Sequence, residues 1–269
     1  MSYTVVTFRI GRALAAVALG LLGCGTNVVE PIGAQLRSRD LVAHWQLDEA
    51  SSTGAARDSV GGHTAAPINA PPASADVPSV TFADRASRSF DGKTQYLRIP
   101  TSDELNFSGE ITLSAWVKVR ALGADCQYVV GHGYCTSPPG EVVLRIGVPG
   151  CGPRADAHYW AVGTWLSAEY SAAAPFLDSD LGVWLHMAGT YASTDQAWHL
   201  YRNGEEIASE PSPVGAVPVQ NDWSIGARAP GLAPCTPEGE ERFFNGAIDD
   251  VRIYRRALSA AEIEELYHL

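Results

Sequence analysis

The chain has 269 residues, with 19 Lys+Arg against 30 Asp+Glu, a formal charge of −11 and 46 % hydrophobic residues. That length and apolar content fit one large β or α/β domain, or two small ones. The core can form without metals or disulfides, and wholesale disorder is excluded. Lysine occurs only at Lys93 and Lys118 and no basic stripe exists, which argues against nucleic-acid binding and against attraction to anionic lipid.

The first element is an export signal over residues 1–23. Arg9 and Arg12 supply positive charge, and the apolar run 13–22 that follows is half the ~20 residues a membrane-spanning helix needs. Leu21-Leu22-Gly23-Cys24-Gly25 resembles a bacterial lipobox, in which the cysteine is lipidated and becomes the first residue. The resemblance implies a lipid anchor on Cys24 and a place at the bacterial outer membrane, because Gly25 is not the aspartate that retains such proteins at the inner membrane. Residues 24–40 then read as the lipidated cysteine and a tether, and residues 41–269 as one domain with no internal linker.

In that domain residues 41–47 alternate, with Leu41, Ala43, Trp45 and Leu47 on one face, the period of a half-buried strand. Residues 48–78, rich in Ser, Gly, Ala, Pro and Asp, read as loop. Strands are expected at 80–82, 89–90, 96–99, 111–119, 127–130, 141–148, 158–165, 184–191, 198–202, 205–209, 223–227 and 247–254. The nine-residue alternation 111–119 is the strongest of these. Asn203-Gly204 between two of them predicts a hairpin, because both residues tolerate positive φ. Only the end reads as helix: Ser259-Ala260-Ala261-Glu262 is a capping box, with Ile263 and Leu266 forming an apolar stripe. A dozen short strands separated by turn signals predict a sandwich or jelly roll.

Without Cys24, four cysteines remain, an even number that reads as two disulfides in an exported chain. Cys126 and Cys135, nearest in sequence and flanking a Gly-rich loop, are paired here, and Cys151 with Cys235. The competing zinc site would need short two-residue gaps that the spacing lacks.

Eight segments in order resemble the laminin-G-like jelly roll of the concanavalin A-like lectin/glucanase superfamily. They include His44-Trp45-Gln46-Leu47-Asp48-Glu49, Asp58-Ser59-Val60-Gly61, Ser89-Phe90-Asp91-Gly92, the 111–119 strand, Trp184 to Tyr191, Leu200-Tyr201-Arg202-Asn203-Gly204 and Phe244 to Tyr254. The resemblance implies an all-β, two-sheet antiparallel jelly-roll sandwich with a short C-terminal helix. Its members include carbohydrate-binding modules, adhesion modules and domains attached to hydrolases.

No catalytic constellation stands out. The Glu-x-Asp-x-x-Glu strand of the superfamily's laminarinases is missing, as are Gly-x-Ser-x-Gly and a His-x-x-x-His pair. The resemblance implies a calcium ion tying an N-terminal loop to the last long strand, at Asp58 and Asp249 with Asp48 assisting. The alternative reading has Asp58 capping a turn and Asp249 paired with an arginine such as Arg252. Sugar rings need aromatic platforms, and Trp45, Trp116 and Trp184 fall in strand motifs that read as core. Trp160 and Trp165, with Tyr159, are therefore the candidate sugar-binding residues. Trp198 and Trp223 come second. A spacing of five puts Trp160 and Trp165 on opposite faces of a strand unless a bulge at Gly163 resets the parity.

The expected protein is a non-catalytic extracytoplasmic binding module on a surface lipoprotein, with a glycan or an extracellular protein as partner and calcium as a structural tie. The alternatives are a structural or protein-interaction module of the cell envelope without a sugar site, and a glycan-active hydrolase or lyase. Burial of Trp160 and Trp165 separates the first two, and a pair of carboxylates in a cleft would favour the third.

Overall fold

The computed structural model describes residue 36 and residues 40–136, 139–154, 157–228 and 242–269. Fifteen strands are present among them. In chain order they are β1 (Leu41–Trp45), β2 (Ala66–Ile68), β3 (Ala73–Ser74), β4 (Ser87–Asp91), β5 (Tyr96–Ile99), β6 (Ile111–Val119), β7 (Gln127–Thr136) and β8 (Pro139–Gly147). There follow β9 (Tyr159–Trp165), β10 (Glu169–Pro175), β11 (Trp184–Ala192), β12 (Ala197–Arg202), β13 (Glu205–Pro211), β14 (Trp223–Ile225) and β15 (Asn245–Tyr254). Helix α1 (Ala260–Tyr267) closes the chain.

These strands form two antiparallel sheets, and the fold is an all-β jelly-roll sandwich. The first runs β13-β12-β11-β6-β15-β4-β3, with β1 also on β15, and the second runs β10-β9-β8-β7-β14-β5-β2. The alternation in 111–119 becomes β6 at the centre of the first sheet, where Ile111, Leu113, Ala115, Val117 and Val119 point into the main core. Facing them from the second sheet are Val142, Leu144 and Ile146 of β8 and Trp160 and Val162 of β9. At roughly 25 cal/mol per Å² of apolar surface removed from water, this shared layer is the main term holding the sheets together. The residues between them on β8 and β9 lie on the opposite, outer face of the second sheet.

Two local signals behave as expected. Asn203 and Gly204 both take positive φ (52° and 84°), turning β12 into β13. Ser259 accepts from the Glu262 N–H and Glu262 reaches back, the reciprocal cap of α1. The helix then lays Ile263 and Leu266 against Ala188, Tyr201 and Tyr254 on the outside of the first sheet.

Other expectations need correction. Residues 80–82 form no strand: Thr81 is held instead by the Leu269 carbonyl, which its backbone N–H meets at 2.5 Å. The segment 169–175, where no strand is expected, is the edge strand β10, its small side chains accepted because the edge needs only backbone pairing with β9. Leu41 does not share a face with Ala43, Trp45 and Leu47. A register shift between Leu41 and Ala43 turns it to the α1 side. Cys126 pairs with Cys151, not with Cys135, across Cα atoms 6.2 Å apart. The loop after β8 brings Cys151 back beside the start of β7, whereas Cys135 lies at that strand's far end and is itself disulfide-bonded. Cys235, Cys24 and the signal segment lie outside the described residues. No helix among the described residues is long and apolar enough to cross a membrane.

Candidate functional site

The last long strand, β15, has β6 along one edge and two shorter partners sharing the other, β4 beside Asn245–Ile248 and β1 beside Val251–Tyr254. Asp249 and Asp250 sit at the changeover. The register shifts there and Asp250 takes a φ of 50°, so the two side chains do not simply alternate. Asp250 is buried and forms an ion pair with the Arg252 guanidinium, and its Oδ1 lies 2.5 Å from His44 Nε2. The arginine partner is therefore Asp250's, not Asp249's.

Asp249 turns instead toward Asp84 and Asp48. Its Oδ1 accepts from the Asp250 N–H at 2.9 Å, while its Oδ2 and both carboxylate oxygens of Asp84 are buried without a hydrogen-bond partner. Burial, then the neighbouring Asp84 and Asp250 charges, push the Asp249 carboxyl up to about 10. Burial, then Asp48 and Asp250, push Asp84 up to about 6. Asp48 spends Oδ1 on the backbone N–H groups of Arg85 and Ala86 (2.6 and 3.1 Å). These are hard oxygen donors of the kind calcium takes. As they stand, Asp48, Asp84 and Asp249 do not form a compact set of ligand atoms, so a single ion would need a side-chain rotation or a bridging water. Asp84 had no motif to announce it; the fold alone brings it in.

Asp58 is not in this group. Its Oδ1 accepts from the His44 and Val60 N–H groups (2.8 and 2.9 Å), and its Oδ2 from those of Gly61 and His63 (2.9 and 3.0 Å), with His63 Nδ1 at 2.8 Å. Every lone-pair direction is taken, so Asp58 caps a turn and has none left for an ion. The other compact group, Asp125 with Cys126 and Cys151, has its two sulfurs in the disulfide and offers no thiolate to a metal.

The aromatic candidates separate cleanly. The β9 register runs without a shift from Tyr159↔Gly147 to Trp165↔Glu141, so Gly163 makes no bulge. Its missing Cβ instead admits Tyr170 and Ser171 of β10. Trp160 therefore faces inward: it is 0 % exposed, stacks on Phe176 at 5.5 Å and donates Nε1–H to Asp180 Oδ2 at 3.1 Å. It is core, not platform. Tyr159 faces outward but is 0 % exposed, its hydroxyl donating to the Cys151 carbonyl. Trp198 and Trp223 are core as well, tied through Nε1–H to the Val214 and Leu105 carbonyls. Trp165, half-buried on the outer face, is the one proposed sugar-binding residue placed to touch a ligand.

Trp165 lines a 420 Å³ cleft on the outer face of the second sheet, together with Tyr134, Glu141, Arg145, Glu169, Arg228 and Arg242. Its ring lies 4.8 Å from that of Tyr134, and the Arg228 guanidinium sits 4.8 Å over the other ring centroid. Below, Arg145 lies between two carboxylates, Glu141 at 3.6 Å and Glu169 in closer contact. Tyr128 donates to Glu141 Oε1 at 2.6 Å and accepts from Arg242 Nη1 at 3.0 Å. Burial raises the Glu141 carboxyl, opposed by Arg145 and the Tyr128 hydrogen bond. Gly152 (φ 117°) leaves this floor open, since a Cβ there would come within 2.6 Å of Arg145 Nη2. A second cavity of 890 Å³ adjoins the first and shares Gly150, Cys151 and Arg242, so the disulfide stands between the two. Glu141, Arg145, Tyr134 and both outer arginines were not among the site residues expected from the sequence. The available signal was Glu141 and Arg145, four apart on one face of an otherwise apolar strand.

The fold is a two-sheet antiparallel jelly-roll sandwich with a cleft on the outer face of its second sheet. Residues 91–264 match the Laminin_G_3 family, of the Concanavalin A-like lectin/glucanases superfamily, and the chain belongs to that family. No curated protein is significantly similar in sequence. Among solved structures, the chain is similar to the binding domain of Paraclostridial Mosquitocidal Protein 1, at 15 % identity and a TM-score of 0.62. The match covers 87 % of this chain and 52 % of that one. It is similar to domain 4 of AbnA, an extracellular arabinanase of Geobacillus stearothermophilus solved with arabinotriose, at 20 % identity and a TM-score of 0.56, covering 85 % and 98 %. It is also similar to the botulinum neurotoxin serotype D ligand binding domain solved with N-acetylneuraminic acid, at 13 % identity and 0.55, covering 85 % and 50 %. The chain thus spans about half the length of the two toxin structures.

Proposed function

We propose that the protein is a non-catalytic binding module that holds carbohydrate in the outer-face cleft. The observation that carries this reading is the half-buried Trp165–Tyr134 pair along one wall of a 420 Å³ cleft whose floor is a fixed set of charged hydrogen-bonding groups. A sugar ring presents an apolar C–H face to such aromatics and hydroxyls to such a floor. Two similar structures solved with sugars, one with arabinotriose and one with N-acetylneuraminic acid, support the reading. Glu141 and Glu169 do form a carboxylate pair in a cleft, the condition for a hydrolase. Both are engaged by Arg145, and Glu141 also by Tyr128, so neither is placed as an idle acid or base. The test is calorimetric titration of purified protein with neutral and acidic oligosaccharides, with an assay for chain cleavage alongside. Saturable binding lost in Trp165→Ala without loss of fold supports the module. Cleavage, or a folded protein that binds no glycan, refutes it.

A second reading, docking to an envelope or extracellular protein, is favoured by one feature. Leu177, Leu181 and Val183 are 41 %, 46 % and 44 % exposed on the loop around the 3-10 turn Asp178–Asp180.

Calcium fits as a structural tie at the point where β4 hands over to β1. Asp84 and Asp249 would hold it, with Asp48 beside them, and it would neutralise carboxylates that burial and mutual repulsion otherwise push toward protonation. A rise in Tm with calcium, reversed by chelator and absent in Asp249→Asn, is the expected result; no shift in wild type refutes it. Attachment through lipidated Cys24 at the bacterial outer membrane completes the proposal, and mass spectrometry of the processed N-terminus tests it.

A further inference from the structure

We propose that Glu169 is the specificity-determining residue of the outer-face cleft: the cleft takes a neutral sugar, one of whose hydroxyls donates to Glu169 Oε2 while its ring stacks on Trp165. This rests on the glycan-binding reading above and narrows it to a ligand class.

Strand register places the two groups side by side. Glu169 of β10 stands directly opposite Trp165 of β9, and on the other side of Trp165 stands Glu141 of β8. Residues directly opposite share a face, with Cβ atoms roughly 5 Å apart. Trp165 therefore has a glutamate on either flank, and all three line the cleft.

The two glutamates differ in what they have left to offer. The Glu141 side chain is 3 % exposed; its Oε1 accepts from the Tyr128 hydroxyl and its Oε2 lies 3.6 Å from Arg145 Nη1. The Glu169 side chain is 22 % exposed. Its Oε1 accepts from both Arg145 Nη2 and the Ser171 hydroxyl, the latter at 2.8 Å, and its Oε2 accepts from none of the described residues. A Cβ on Gly152, which also lines the cleft, would come within 3.1 Å of that Oε2, so the glycine keeps space in front of it. Two donors on the sister oxygen fix the direction of an acceptor that is unspent and reached from the cleft.

The chemistry of that acceptor sets the ligand class. A carboxylate only accepts hydrogen bonds, so its partner must donate. A sugar hydroxyl donates; an ionised uronic or sialic acid carboxylate cannot, and it is repelled. The arginines of the cleft do not offset this, because each is already engaged. Arg145 lies between Glu141 and Glu169, Arg242 donates to Tyr128, and Arg228 lies over the Tyr134 ring and has a further partner. The chain as a whole carries −11, which opposes the approach of an anionic glycan as well.

The experiment titrates purified full-length protein with arabino-, xylo-, gluco- and galacto-oligosaccharides, the last two beside their uronic-acid counterparts. The expected result is a neutral probe bound about tenfold or more tighter than any uronide, the gap narrowing as salt rises. In Glu169→Gln the neutral affinity falls about tenfold and the gap to the uronides closes. A circular-dichroism melt shows whether that variant folds, since Arg145 loses an ion partner in it. If it does not fold, Ser171→Ala takes its place: it loosens Glu169 without removing it and should weaken the neutral probe about threefold in a protein that melts like wild type. A uronide bound as tightly as the best neutral probe overturns the proposal. So does full neutral affinity in folded Glu169→Gln or, where that variant fails to fold, in Ser171→Ala. Each of these leaves Trp165-dependent glycan binding intact. Binding to none of the probes defeats this proposal and the glycan reading together.

Discussion

Replacing Asp58 with alanine should unfold the protein far more easily, and should do so whether or not calcium is present. Four backbone N–H groups and one imidazole converge on this carboxylate, whose side chain is 0 % exposed. The Val60 and Gly61 donors are exposed and can turn to water, so their loss is small. The His44 and His63 donors are partly buried beside β1, and stranding each costs ~1–3 kcal/mol. Together the loss is about 3–5 kcal/mol, a large part of the ~5–15 kcal/mol by which a domain is stable. Asp58→Asn keeps one acceptor and should cost less. Burial pushes the Asp58 carboxyl up, but the backbone donors of His44, Val60 and His63 together outweigh it and hold it below the ordinary carboxylate range. A depressed carboxylate stabilises fully above the unfolded value of ~3.9 and is lost as pH falls through the folded one. The wild-type-minus-mutant difference should therefore stay level from pH 5 to 9 and shrink only below about pH 4. Urea unfolding of both proteins, in calcium and in chelator, is the assay. A loss under about 1 kcal/mol, or one seen only in calcium, would refute the turn-cap assignment and return Asp58 to the ion.

Three further outcomes follow from buried groups. Burial holds His186 down to about 3 and His132 to about 4, so each stays neutral in the fold while the unfolded chain takes up protons. Stability is then full above about pH 6.5 and falls as pH drops toward 4; in His186→Phe that slope, read by denaturation between pH 7 and 4, should flatten. Reducing Cys126–Cys151 should cost about 3 kcal/mol and weaken ligand binding, since Cys151 itself lines the cleft and its carbonyl is tied to the Tyr159 hydroxyl. Unchanged melting and affinity in reductant would contradict that. Trp160→Ala should cost about 3–5 kcal/mol in stability yet leave glycan affinity of the folded fraction unaltered, the reverse of Trp165→Ala.

Much of the architecture was legible because it depends on near neighbours in the chain. The alternation in 111–119 marks a strand since side chains two apart share a face, and Asn203-Gly204 marks a hairpin because both residues accept positive φ. The capping box at Ser259 is satisfied within three residues. Where the local signal is weak the reading went astray. Residues 169–175 pair only because β9 offers a free edge, and residues 80–82 look like a strand but find no partner. The spacing of Trp160 and Trp165 already placed them on opposite faces, yet which face held the core depended on the other sheet.

The sites show the division most clearly. Sequence by itself determined the sandwich, the residue types able to stack on a sugar, and Asp249 as a candidate ligand on the last long strand. Only tertiary structure decided that Asp58 spends its oxygens on backbone donors 14 residues before it and up to five after it, and that Asp84 comes to Asp249 in its place. It alone brought Tyr134, Arg145, Trp165 and Arg242 from three strands and a loop to one cleft. Strand pairing joins residues by sheet order rather than chain order, and burial sets which of their polar atoms must find a partner; neither is written in any short stretch of the chain.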